Sequence, residues 1–135
     1  MAGTSQLVVV GLPLFPEGGA MAKAWVHAES SAKRWGGTPD DYIAVHEKMD
    51  QTKMAHAEVT HRAVFHSAFG IFLIEDIFGR TITNSDGREV FVRDIAEQHV
   101  LEDLGHIPSL SDWLREMSPQ PWMAGARKLP IRIVE

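Results

Sequence analysis

The chain of 135 residues has no cysteine and a single tyrosine. Without cysteine there is no disulfide scaffold, no zinc ribbon and no thiol nucleophile. Basic charge is also scarce. Thirteen Lys and Arg stand against eighteen Asp and Glu, a formal net charge of −5. That balance gives no electrostatic case for nucleic acid or for an anionic membrane. Long apolar runs are missing too. The longest, Leu7 to Phe15, is broken by Gly11 and Pro13. It falls far short of the ~20 residues of a spanning helix. The first basic residue is Lys23, so the chain lacks the positively charged start of a signal peptide. The expectation is a cytoplasmic protein. Hydrophobic residues at 44% and charged residues at 23% match ordinary globular usage and exclude a disordered or fibrous chain. Seven histidines are the one compositional excess.

Breakers and periodicity divide the chain into residues 1–20, an N-terminal arm or strand, then a helical domain over 21–118 and a tail over 119–135. Gln6 to Val10 is rich in β-formers, and Met21 opens the first helical pattern, so translation could start at Met1 or Met21. Ala24, Trp25, Ala28, Ala32 and Trp35 form one apolar stripe on a first helix that Gly36-Gly37 ends. Thr38-Pro39-Asp40-Asp41 predicts the start of a second helix, running from Pro39 to about Met54. A third is expected from about Thr60 to Phe78. It is apolar all round between Ala68 and Ile74 and so expected to be central. Thr81–Thr83 and Glu89–Val92, around Asn84-Ser85-Asp86-Gly87, predict a β-hairpin. A fourth helix, Ile95 to Leu104, is expected to take Asp94 as its cap. A short fifth should start at Ser109 or Ser111. The predicted class is mainly α within α+β: a four-helix core, a short fifth helix and a small hairpin between helices three and four. Ile131 to Val134 could form a strand that pairs with Gln6 to Val10.

The run Ser31-Ala32-Lys33-Arg34-Trp35-Gly36-Gly37 continues into Asp41-Tyr42, His61-Arg62-Ala63 and Gly70-Ile71-Phe72-Leu73. Ile82-Thr83-Asn84-Ser85-Asp86-Gly87, Glu97-Gln98-His99-Val100, Glu102-Asp103-Leu104-Gly105 and Asp112-Trp113-Leu114 follow. Together these resemble a family of small uncharacterised bacterial and bacteriophage proteins over roughly Trp25 to Leu114. The resemblance implies no activity and assigns no catalytic residue. Ser67 stands where the family would place a second histidine beside His66.

Familiar chemical motifs are incomplete. The Asn84–Gly87 turn lacks the acids of a calcium loop, and Ser30-Ser31-Ala32-Lys33 stands without the partner motifs of an S-x-x-K enzyme. His46-Glu47-Lys48-Met49-Asp50 has Asp where a zinc-protease helix needs a second His. Periodicity instead puts four polar side chains on apolar faces: His46 and Asp50 on the second helix, His66 on the third, Glu97 on the fourth. Buried polar groups must be satisfied. A hydrogen-bonded core network does this, and so does one divalent ion, zinc, iron or manganese, held by imidazoles and carboxylates. Arg62 and His61 are supporting candidates. His99, Glu102 and Asp103 are expected on a solvated face, and His27 at the edge of its helix's stripe.

Three functions are therefore open. The first is a small non-catalytic binding or accessory protein with a bound divalent metal. The second is a metal-dependent phosphoester hydrolase. The third is a self-assembling or partner-docking protein, using its termini and Trp122 on a protein partner or a second copy.

Overall fold

A computed structural model describes residues 20–125. Both terminal strand candidates, and their pairing, lie outside the described residues. The expected class holds: four substantial helices, a short fifth and one two-stranded hairpin.

α1 (Ala20–Trp35) carries Lys33 and Arg34 in its last turn, where cations suit the negative helix end. Ala24, Ala28 and Ser31 are fully buried, and α1 packs on both α2 and α4. Trp25 departs from the expected stripe and is 38% exposed. Gly36 and Gly37 have φ of +92° and +73°, a conformation that favours glycine and turns the chain back.

The second element begins at Pro39, as expected, but as a 3-10 turn, Pro39–Asp41. α2 proper is Ile43–Asp50, continued by a 3-10 turn, Gln51–Met54. Its inward face is Val45, His46, Met49 and Asp50, as its periodicity predicts.

The long third helix is corrected. A 3-10 turn at Val59–Ala63 is followed by irregular backbone, and α3 spans only Ala68–Phe78. Tertiary hydrogen bonds account for the break. The His66 carbonyl accepts Trp113 Nε1–H at 2.9 Å, and Ala68 N–H bonds to the Pro108 carbonyl at 2.9 Å. Ser67 then caps α3, its hydroxyl accepting Gly70 N–H at 2.9 Å. Nor is α3 buried all round. Gly70, Ile71 and Ile74 face the core, while Phe69, Phe72 and Ile77 are about half exposed.

β1 (Thr81–Thr83) and β2 (Glu89–Phe91) pair antiparallel, with Ile82 opposite Val90. α4 (Val92–Leu104) starts directly after β2, so Asp94 lies in its first turn and Phe91 occupies the cap position. That early start accompanies a different buried face: Val92, Ile95, Ala96, Gln98, His99 and Val100. Leu101, expected inside, is 44% exposed. α5 is Leu110–Leu114, capped by Ser109 and Asp112 in a reciprocal pair of hydrogen bonds of 3.0 and 2.9 Å. The core closes around Tyr42, Met49, Ile74 and Ile95. Among the described residues no helix is long and apolar enough to cross a membrane.

Candidate metal centre

α2 and α4 each carry a histidine four residues before an aspartate, His46/Asp50 and His99/Asp103. Residues so spaced share one helix face, and in both helices that face turns inward. The irregular stretch before α3 brings His66 against them. The result is a group of four, Asp50, His66, His99 and Asp103, each offering a ligand atom within 4.8 Å of the others.

His99 Nε2 is 3.1 Å from Asp50 Oδ1 and 3.3 Å from Asp103 Oδ2. His66 Nε2 is 2.9 Å from the same Asp103 oxygen and 3.7 Å from the same Asp50 oxygen. Both histidine side chains are fully buried, and the two carboxylates are 6% and 2% exposed. Asp50 Oδ2 and His66 Nδ1 are buried without a hydrogen-bond partner.

The electrostatics follow from that crowding. Burial alone would raise the Asp103 carboxyl, but hydrogen bonds from His27, His66 and His99 outweigh it and hold it far below the usual carboxylate range. Asp50 is likewise held low against its burial, mainly by His99. Burial resists a charge on His99, yet the two carboxylates win and raise its pKa. On His66 burial prevails and the pKa falls. Burial, and then the neighbouring His99 and His27 with no carboxylate in contact, lower the His46 pKa to about 2. The centre therefore favours charge on its two carboxylates and on His99 and disfavours it on His66.

Outside the four, Asp103 Oδ1 receives His27 Nε2 at 3.2 Å and Lys23 Nζ at 3.1 Å. His99 Nδ1 lies 2.8 Å from His46 Nδ1, and His46 Nε2 lies 2.8 Å from Ser31 Oγ. Ser31 donates to Gln98 Oε1 at 2.6 Å.

Two of the four residues singled out by periodicity, Asp50 and His66, meet at the centre. His46 is fully buried as expected but sits behind His99. Glu97 is half-buried on α4 and not among the four; the face of that helix turned inward is the one carrying His99 and Asp103, where their carboxylate and imidazole partners satisfy them. Those two, expected in solvent, were missed; the repeated His-x-x-x-Asp spacing was the available signal. His27 is buried, 4% exposed, rather than at an edge. Arg62, the supporting candidate, brings Nη2 to 3.9 Å from Asp103 Oδ1. His61 is buried and bonds through Nδ1 to Thr52 Oγ1 at 2.9 Å. Trp122 is 74% exposed, in a 3-10 turn at Pro121–Ala124.

Fold and site together define a small helical α+β domain built around a buried histidine–aspartate cluster. Over residues 22–123 the chain belongs to the family described as Domain of unknown function (DUF6915). Neither the curated proteins nor the solved structures contain a match to it.

Proposed function

We propose that the protein is a small binding or accessory domain whose core holds one divalent metal ion, with Asp50, His66, His99 and Asp103 as ligands. The observation that carries this is the spacing of the four donor atoms. A tetrahedral ion with ligands near 2.0–2.1 Å sets its donors about 3.3 Å apart. The four donor separations run from 2.9 to 3.7 Å around a closed ring. The unpartnered Asp50 Oδ2 leaves that carboxylate a second oxygen for the ion. Of zinc, iron and manganese, zinc suits four N/O donors best, since manganese and iron commonly take more ligands. Burial of all four side chains supports a closed ion that stabilises the fold. A hydrolytic centre keeps a position open for water and substrate.

The docking role is supported by a different observation. Phe69, Phe72 and Ile77 are exposed on α3, and Trp122 on the final turn. Aromatic side chains of this kind anchor protein interfaces. The partner in this reading is another protein or a second copy of the chain.

Elemental analysis of untagged protein tests the metal reading. About one equivalent of zinc per chain is expected, lost in a His66→Ala/His99→Ala variant. No transition metal, in protein purified without chelator and reconstituted with zinc, would leave the cluster a hydrogen-bonded network.

A further inference from the structure

The buried polar groups behind the cluster form a series whose hydrogen-bond direction is fixed from one end. Gln98 Nε2 faces the His27 carbonyl at 3.1 Å and Glu102 Oε1 at 3.0 Å. A carbonyl and a carboxylate can only accept, so the amide nitrogen belongs there and Oε1 points at Ser31. Ser31 Oγ has two neighbours besides His46: Gln98 Oε1 at 2.6 Å and the His27 carbonyl at 3.1 Å. Both are acceptors, so the single hydroxyl proton is committed to one of them. Towards His46 Nε2 the serine can then only accept, so His46 carries its proton on Nε2. At the contact between the two Nδ1 atoms, 2.8 Å apart, one ring must donate and the other accept. His46 is fully buried and touches no carboxylate, so its ring keeps a single proton, the one already placed on Nε2. His46 Nδ1 is the bare acceptor, and His99 Nδ1 carries the proton.

From this we infer that Gln98, Ser31 and His46 are positioning residues that lock the tautomer of His99, so that Nε2 is the nitrogen presented to Asp50, Asp103 and a metal. In its consequence for metal this rests on the proposed ion; in its tautomers it does not. Ligating histidines ordinarily take their orientation from a partner on the second nitrogen. Here that partner is another histidine, itself set by Gln98 three groups away. The lock also fixes what metal uptake does. An ion would take the place of the Nε2 protons that His99 and His66 direct at the carboxylates; one proton would leave for solvent and the His66 proton would move to its unpartnered Nδ1.

Long-range nitrogen–proton correlation spectra of the full chain, labelled with ¹⁵N-histidine, read each tautomer directly. With chelator and with zinc alike, His46 should be protonated on Nε2 and bare on Nδ1. His99 should keep its Nδ1 proton in both states, while its Nε2 signal changes on zinc addition. His46 protonated on Nδ1 overturns the lock, whatever zinc does. The expected tautomers with no response to zinc uphold the lock and refute the metal reading. A Gln98→Met variant removes the nearer of the two acceptors of the Ser31 proton and leaves only the His27 carbonyl at 3.1 Å, so it should give a mixed His46 tautomer and about 10- to 100-fold weaker zinc binding. An unmixed His46 tautomer in that variant would refute the role of Gln98.

Discussion

Replacing Asp50 by Asn separates an ion-holding centre from a purely hydrogen-bonded one. The amide keeps the shape of the side chain and one acceptor oxygen but loses the charge. In chelator, His99 loses one of its two carboxylate partners, the one at 3.1 Å. A buried hydrogen bond to a charged group is worth about 1.5–3 kcal/mol, so the metal-free variant should melt several degrees below the parent. In zinc the difference should widen. Free zinc at a hundredfold excess over Kd stabilises the native state by about 2.7 kcal/mol, roughly 10 °C for a domain of this size. With one ligand neutralised, the zinc-dependent rise should shrink to about 3 °C or less. Differential scanning calorimetry of both proteins, with chelator and with zinc, measures all four midpoints. Equal zinc-dependent rises in parent and variant would refute Asp50 as a ligand. No rise in either would refute the ion, and the difference in chelator alone would then measure the network.

Further predictions concern the frame around the centre. A β-carbon at Gly70 would run into the backbone of Phe65, so Gly70→Ala should lower stability by about 1–3 kcal/mol in urea unfolding; an unchanged midpoint would contradict the close packing. Tyr42→Phe removes a hydroxyl that donates to the Gly36 carbonyl at 2.8 Å and accepts from Asn84 Nδ2 at 3.1 Å. A loss of about 1–2 kcal/mol is expected by the same assay. Phe69→Ser/Phe72→Ser should leave stability within about 1 kcal/mol, since both rings are half exposed, and a larger loss would mean that α3 is covered in solution. In the metal-free protein, His46 and His66 have lowered pKa values. Their contribution is complete above pH 6.5 and declines as the unfolded chain takes up protons that the native state refuses. His99, raised, contributes fully below 6.5 and loses its contribution as pH rises through its folded pKa. Metal-free stability should therefore peak near pH 6.5, and a steady rise from 6.5 to 9 in urea midpoints would contradict the charge placed on His99.

Much of the frame was legible because local signals agreed. Gly36-Gly37, Thr38-Pro39 and the Asn84–Gly87 turn each determine backbone geometry within a few residues, and the helices and hairpin fall where they indicate. One of the four site residues was legible for the same reason: on α2, Asp50 shares a face with Val45, His46 and Met49 however the rest folds; His66 lies inside as expected, but on irregular backbone rather than on the helix that suggested it. The third helix failed because its interruption is tertiary. Trp113 and Pro108, some forty residues on, take the hydrogen bonds that a continuous helix would have used. On α4 the error was one of face. Leu101 and Leu104 outweighed His99 and Asp103 on hydropathy, although charged partners make burial of a histidine and an aspartate tolerable. Glu97 was selected by the same mistaken rotation of that helix.

The hairpin tip and the loop after α1 are joined without any apolar contact being needed. Asp86 accepts Gly37 N–H at 2.8 Å, and Asp41 accepts Ser85 N–H at 3.0 Å. These ties connect positions more than forty residues apart, yet all of them lie at exposed sites. Water can replace each of these partners, whereas Asn84 beside them is buried and donates to the Trp35 carbonyl and to the Tyr42 hydroxyl at 3.1 Å each, so the clasp loosens at its rim and holds at its root. In native-state hydrogen exchange, the amides of Gly37 and Ser85 should exchange early, while Ile74 and Val100 in the core wait for global unfolding. The rim of the hairpin thus has its own local equilibrium, while the hairpin as a whole, held by Asn84 and by Val90 in the core, opens only with the helices.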